Sequence, residues 1–375
     1  MSGAAHLYVH LPFCSHRCGY CDFVTVVGRE GTHGHYVDAV LRELEREAPA
    51  LADPLLTIFV GGGTPSFTDA AAFERLLGLL PAAAEVTIEA NPETVTPALA
   101  ASMRSAGVTR VSLGAQTFAP RLLEVLERVA GPDDVRRAVY TLRDASFDNI
   151  SLDLIYGIPG QEPSDLAHDL AEALALAPEH LSLYELEAMP GTRFTHTWGE
   201  ELERQAEAME GYFECVVETV IGAEYRWYET ASFCLTGDRA SGRDLRAHHN
   251  LGYWHGSDYL GLGIGAVSTL GGQRRKNGVS IGRYTAALEA GEEPPRKLEE
   301  LDGRTKTQER LMLGLRLDEP LVLATVESVV DRAALARMVE GGLVDVGQTV
   351  DGDTTVQLTT RGRFLGGGVT AELLA

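Results

Sequence analysis

Three cysteines fall within eight residues, in Cys14-Ser15-His16-Arg17-Cys18-Gly19-Tyr20-Cys21. A loop this tight can offer three thiolates to three corners of an iron–sulfur cube and leave the fourth iron open to a ligand. The same thiolates suit a zinc ion if a fourth donor joins them, and His10 or His16 could supply it. A second signal is Phe59-Val60-Gly61-Gly62-Gly63-Thr64-Pro65-Ser66. Its glycines let backbone N–H and C=O groups approach a ligand, and Pro65 fixes the exit from the loop. Polar residues end three further apolar runs: Glu89 in Thr87-Ile88-Glu89-Ala90-Asn91-Pro92, Gln116 after Ser112-Leu113-Gly114-Ala115, and Asp153 in Ser151-Leu152-Asp153-Leu154. Side chains at such strand ends face the mouth of a βα barrel, where ligands bind.

The elements that must position these residues alternate. Short β-rich runs at 6–11, 55–60, 85–89, 109–113, 149–154 and 180–185 read as strands. Ala/Leu/Glu-rich periodic stretches at 36–47, 70–79, 97–106, 120–129, 134–145 and 163–175 read as helices. Six βα units with polar and glycine-rich signals after the strands predict an α/β fold built on a partial (βα)6 TIM-like barrel. An open doubly wound sheet is the alternative. Further on, 200–221 reads as one long helix, 225–228 as a strand and 237–272 as an irregular region rich in Gly, His and aromatics. Residues 307–315 and 326–340 read as helices, and 343–358 as a hairpin around Asp351-Gly352-Asp353. The expected division is a barrel over 1–222, an irregular extension over 223–300, and a small winged-helix-like α/β domain over 301–375. The acidic runs at 291–293 and 299–302 read as solvated linker surface.

The cysteine loop directly after the first strand resembles the hallmark of the radical S-adenosylmethionine (SAM) family. That resemblance implies a [4Fe-4S] cluster on Cys14, Cys18 and Cys21, and a SAM whose methionine moiety the open iron chelates. It also implies that Gly62, Gly63 and Thr64 meet the methionine amino group. Glu89, Gln116 and Asp153, together with Arg128, Tyr8 and Tyr20, match the coproporphyrinogen oxidase branch of the family, in which the corresponding residues line the SAM site. Arg128 ranks below the others, because it falls in the helical stretch 120–129 and reads equally as a surface charge. The branch resemblance extends through Tyr184-Glu185-Leu186-Glu187-Ala188-Met189-Pro190-Gly191-Thr192 and into the tail.

Two departures select a subgroup. Coproporphyrinogen dehydrogenases carry a fourth cysteine two residues after the third and a long N-terminal extension. Here Phe23 fills that place and seven residues precede Tyr8. Both departures point to the HemW-type haem chaperones. His249-Asn250-Leu251-Gly252-Tyr253-Trp254 is similar to the HNxxYW motif of that type, which implies haem with His249 as its axial ligand and His248 and His255 as nearby competitors. A neutral imidazole suits haem iron, and neighbouring aromatics offer flat apolar area. The resemblance therefore implies a protein that binds haem and passes it to an acceptor protein. The alternative is a radical SAM enzyme acting on a tetrapyrrole, such as an oxygen-independent coproporphyrinogen III dehydrogenase.

Composition narrows the partners. The 375 residues include 54 acidic and 32 basic ones, a formal net charge of −22, which disfavours nucleic acid and anionic membrane surfaces. No uninterrupted apolar run reaches the length of a membrane span, and Met1-Ser2-Gly3-Ala4-Ala5-His6 does not read as a signal peptide, so a cytoplasmic protein is expected. An odd count of 5 cysteines argues against a disulfide framework, leaving Cys215 and Cys234 as expected buried thiols. A homodimer is left open. Haem propionates and the SAM carboxylate are anionic, so metal coordination, apolar contact and a few local donors must hold them.

Overall fold

The computed structural model describes residues 3–189 and 193–375. Six strands carry the expected alternation: β1 (His6–Leu11), β2 (Leu55–Gly62), β3 (Ala83–Ala90), β4 (Arg110–Gln116), β5 (Ile150–Tyr156) and β6 (His180–Glu185). Each runs parallel to the next in sequence, and the order β1-β2-β3-β4-β5-β6 never reverses. A doubly wound sheet needs a reversal, so this order selects the barrel-type winding. The barrel is partial, because the free edges of β1 and β6 do not meet.

Those edges are taken by the segment read as irregular. On one side β8 (Ser232–Leu235) pairs antiparallel with β6 and carries β7 (Tyr225–Trp227) beyond it. On the other side β9 (Tyr259–Leu262) adds parallel to β1, followed by β10 (Val267–Leu270), β11 (Gln273–Asn277) and β12 (Arg296–Glu300). These strands are only 3–5 residues long. β7 falls within the strand expected over 225–228, whereas glycines at 256, 261, 263 and 265 interrupt the stretch that holds β9, which is why periodicity does not reveal it. Glu299 and Glu300 lie on β12 as exposed strand residues rather than in a linker.

Between the barrel strands lie α1 (His33–Glu47), α2 (Ala70–Leu79), α3 (Pro97–Ser105), α4 (Pro120–Val125), α5 (Pro132–Asp144) and α6 (Pro163–Ala175). Four of them start with Pro at the first helical turn, where the missing N–H costs nothing. The long helix expected over 200–221 is two, α7 (Arg193–Gln205) and α8 (Met209–Gly222), joined by the turn Ala206–Ala208. Residues Pro190, Gly191 and Thr192 of the segment that carried the branch resemblance lie outside the described residues.

Two further helices follow, α9 (His248–Trp254) and α10 (Ile281–Glu289). The extension is tied to the barrel through one buried carboxylate. Glu43 of α1 accepts from the N–H of Gly263 (2.8 Å), Asn277 Nδ2 (2.8 Å), Tyr284 Oη (2.6 Å) and Arg296 Nη2 (3.2 Å). The four donors work against the burial that pushes the Glu43 carboxyl up, and removing one would leave a buried polar group unpaired.

At the end of the chain α11 (Gly303–Gly314) and α12 (Arg332–Glu340) pack on an antiparallel sheet of β13 (Leu321–Val322), β14 (Val344–Gln348) and β15 (Thr354–Leu358), with their own apolar core of residues such as Leu311, Val326, Val356 and Leu373. The helix expected from 326 begins only at Arg332. Asp331 Oδ1 accepts from the N–H groups of Ala333 and Ala334, so it caps a helix instead of sitting inside one.

Candidate functional site

The first cavity, of about 310 Å³, opens at the C-terminal ends of the barrel strands and is walled on one side by the cysteine loop. Cys14, Cys18 and Cys21 all line it and are all half-buried. The loop closes on a 3.2 Å bond from the Cys21 N–H to the Cys18 carbonyl. Cys14 Sγ lies 3.5 Å from Thr64 Oγ1, and Cys18 Sγ lies 4.0 Å from Arg128 Nη1. Burial pushes all three thiols up, and for Cys14 the neighbouring Cys21 and Cys18 add to it. A cationic iron centre would convert such grouped thiols to thiolates, so the donor set fits an iron–sulfur cluster.

The zinc alternative lacks its fourth donor in place. His10 is engaged at both nitrogens, Nδ1 with Tyr8 Oη (2.9 Å) and Nε2 with the Val24 carbonyl (2.8 Å). His16 Nε2 lies 2.7 Å from the Glu127 carbonyl and 3.5 Å from Cys18 Sγ. Among the described residues no three His, Cys, Asp or Glu side chains converge on a single-ion site.

The glycine run passes directly beneath this loop. Gly62 adopts φ of +118°, and a Cβ there would stand 2.5 Å from the His10 ring. At Gly63 a Cβ would stand 2.5 Å from the Pro12 carbonyl oxygen. The Gly62 N–H donates to Glu89 Oε2 at 2.9 Å. Burial pushes the Glu89 carboxyl up to about 7 against that hydrogen bond, and Asp153 raises it further. Asp153 is itself pushed up by burial, and it accepts from Ser112 Oγ (2.8 Å) and Ser151 Oγ (3.2 Å). Two recessed carboxylates on one wall are a receptor for a cationic ligand group such as an ammonium.

Arg128 is not a helical surface residue. Helix α4 ends at Val125, Glu127 turns the chain with φ of +56°, and Arg128 enters the cavity. Its Nη2 donates to Asn91 Oδ1 (2.9 Å) and to the Gly114 carbonyl (3.0 Å). Gln116 sits at φ of +65° where the β4–β5 register shifts, and it lines the same cavity. Tyr20 lines it too and packs edge-on against Phe194.

Cys14, Cys18, Cys21, Gly62, Gly63, Thr64, Glu89, Gln116, Arg128, Asp153 and Tyr20 are thus gathered on one wall system. Tyr8 is not among them and borders a different cavity. Asn91 and Ser112 were not singled out from sequence, although both lie within the quoted segments. Deeper in the barrel, buried Arg110 donates to His180 Nδ1 (3.2 Å), and His180 Nε2 lies 2.8 Å from Tyr228 Oη. Arg110 also lowers the carboxyl pKa of Asp153 and Glu89 from below, and no sequence pattern signals it.

The HNxxYW segment forms α9. Glu85 caps it, accepting from the N–H groups of His249 and His248 at 3.1 Å each. His249 is buried among Phe59, Tyr8 and His6. Its Nδ1 lies 2.7 Å from Thr57 Oγ1 and its Nε2 lies 2.9 Å from Tyr253 Oη. Burial, with His6 adding, pushes its pKa down to about 3, so the ring is neutral and free of a second proton, yet enclosed. Tyr253, which covers it, faces a second cavity of about 1040 Å³. His248 and His255 instead line a third, of about 560 Å³, beside His6 and Glu85. Cys234 is buried on β8, and Cys215 is half-buried on α8.

A partial βα barrel with a three-cysteine loop after its first strand defines a radical SAM protein, and residues 8–173 match the model of the Radical SAM superfamily. Over 98% of its length the chain is 34% identical to the Heme chaperone HemW of Mycobacterium tuberculosis (strain ATCC 25618 / H37Rv), of which it covers 94%. It is 31% identical to the Heme chaperone HemW of Bacillus subtilis (strain 168), with 98% of each protein covered. The chain belongs to the HemW family. Coproporphyrinogen III oxidase (HemN) from Escherichia coli, a radical SAM enzyme, shares the fold, with a TM-score of 0.80 over 99% of this chain and 90% of that one at 23% identity. No helix among the described residues is long and apolar enough to cross a membrane.

Proposed function

We propose that this protein is a cytoplasmic haem chaperone that binds haem and hands it to an acceptor protein, with a [4Fe-4S] cluster on Cys14, Cys18 and Cys21 and an exchangeable SAM. The observation that carries the reading is full-length kinship with proteins named heme chaperones, 94–98% of each relative being covered. Phe23 supports it against the dehydrogenase reading, because the position that would hold a fourth cysteine carries an exposed aromatic ring.

In this reading the barrel over 1–222 holds the cluster and SAM, the extension over 223–300 brings α9, and 301–375 packs beside it. When bound, the cluster supplies an open iron for the methionyl amino and carboxylate groups. Glu89 and Asp153 would face the ammonium and the Gly62–Gly63–Thr64 backbone would fix its approach, while Arg128 holds the wall between Asn91 and the cysteine loop. Gln116 and Tyr20 close the remaining sides, and Tyr8 acts from beneath by holding His10. His249 ligates haem iron through Nε2 once Tyr253 turns aside, since Nδ1 already leans on Thr57.

The test is hemin titration of anaerobically reconstituted protein, with iron, sulfide and 5′-deoxyadenosine measured on the same preparation. A Soret band that is lost with His249→Ala, together with haem transfer to an apo-acceptor, is the expected result. Turnover of coproporphyrinogen III would establish the dehydrogenase instead. A sedimentation run with and without hemin decides the homodimer.

A further inference from the structure

The second cavity lies beside the cluster and SAM site rather than within it. It is about 1040 Å³ and lies between the segment following Cys21, the strands β9–β11 and the helix α11. Small-molecule sites run to about 300–1,000 Å³, so this volume suits a macrocycle, and it is about three times the 310 Å³ of the cluster cavity. Its wall is formed largely by Val24, Tyr253, Tyr259, Val267 and Leu313. Phe23, 68% exposed, borders both cavities, so a ligand here lies next to the cysteine loop.

Two cations stand at the edge of this apolar space. Lys306 and Arg310 are four residues apart on α11, hence on one face, with Cβ atoms about 5–6 Å apart. Neither forms a contact ion pair among the described residues: Arg310 donates to the Trp254 carbonyl at 3.4 Å, and the carboxylate that acts on it, Glu319, is itself held by Arg246 and His255. The other charges on the wall are already satisfied or belong to the cysteine loop. Arg274 is held by Glu309 (2.7 Å), Asp258 accepts from the Gly271 N–H (2.8 Å), and Asp22 follows Cys21. In a chain of net charge −22, two unpaired cations on one face beside an apolar cavity mark an anion-binding edge. The third cavity lacks this property. Its Arg243 is paired with Asp148, Arg246 with Asp244 and Glu319, and His255 with Glu319.

We propose that this cavity is the porphyrin pocket, with Lys306 and Arg310 binding the two neighbouring propionates of haem and the macrocycle lying against Tyr253. This rests on the haem reading above and adds the ligand's place and orientation. It also accounts for how an acidic protein holds a dianionic ligand: recognition falls to a local pair of cations on an apolar wall.

The experiment compares hemin with hemin dimethyl ester, whose propionates carry no charge, on the full-length chain, by Soret titration at neutral pH. The parent should bind hemin more tightly than the ester. Lys306→Ala/Arg310→Ala should weaken hemin by about tenfold or more, the loss of two charge-assisted contacts, and leave the ester unchanged. Val267→Trp, which fills the cavity from β10, should weaken both ligands. Thermal unfolding of each variant checks folding, and if the double variant is unfolded, Lys306→Ala alone and the parent's ester-to-hemin ratio decide. Equal hemin affinity in parent and folded double variant overturns the pocket while leaving the chaperone reading intact. No hemin binding by the parent overturns both.

Discussion

His249 Nε2 lies 2.9 Å from Tyr253 Oη, so the histidine that would ligate haem is covered by the tyrosine facing the cavity of about 1040 Å³. The histidine is neutral and backed by Thr57, and Tyr253, with Tyr8 beside it, stands between it and that space. Tyr253→Phe should therefore cost about 1 kcal/mol in urea unfolding, the value of one buried hydrogen bond. It should keep or raise hemin affinity, with the parent's Soret maximum unchanged. His249→Ala should lose that band. The opposite pattern, loss with Tyr253→Phe and retention with His249→Ala, would make Tyr253 the ligand.

Each of Cys14→Ser, Cys18→Ser and Cys21→Ser should abolish cluster assembly, because three ligands leave no spare. Reconstitution should give about four iron and four sulfide per parent chain and near none in the variants. One zinc per chain without sulfide would show that the loop is a zinc site.

Gly62→Ala should destabilise the chain by about 1–3 kcal/mol, through both its φ of +118° and a Cβ 2.5 Å from the His10 ring. Glu89→Gln, which keeps shape and removes charge, should leave folding intact and weaken SAM binding by about tenfold or more in calorimetry. Unchanged SAM affinity would remove Glu89 from the site.

Acid should destabilise the protein through its buried histidines. The folded state holds His249 neutral down to about 3, while the unfolded chain takes up a proton below its ordinary 6.5. Between those values the unfolded state binds more protons, so this contribution is complete above 6.5 and is lost as pH falls, at up to about 1.4 kcal/mol per pH unit. His180, held well below its usual value by burial, acts in the same direction. Glu89 acts oppositely. Its folded carboxyl is raised to about 7, so its contribution is lost as pH rises from about 4.5 towards 7. His249→Gln should flatten the acid limb of a pH series of urea midpoints, and Glu89→Gln should steepen it.

The six barrel strands, the cysteine loop and most of the SAM-type wall were legible because their signals are local. A buried parallel strand is a short apolar run, and its C-terminal polar residue marks the barrel mouth wherever the strand itself is recognised. The same reasoning placed Arg128 on a helix, because periodicity continues past Val125. The left-handed turn at Glu127 that sends it inward leaves no periodic trace. The extension misled for a related reason. Its strands of 3–5 residues find their partners across the chain, β9 beside β1 and β8 beside β6, and such pairings carry no local pattern.

What the sequence by itself determined, then, is the thiol-rich loop and the strand–helix alternation that frames it, since ligand spacing and periodicity are properties of neighbouring residues, whereas the barrel-type winding follows from the order of the strands. Tertiary structure alone decided what buries His249 from the barrel side, which cations stay unpaired, and where a space large enough for a macrocycle lies. Those depend on Thr57, Glu85 and Lys306 meeting α9 or the cavity from elements as many as 192 residues away, as Thr57 does from His249. Burial and charge pairing belong to the packed assembly rather than to any stretch of chain.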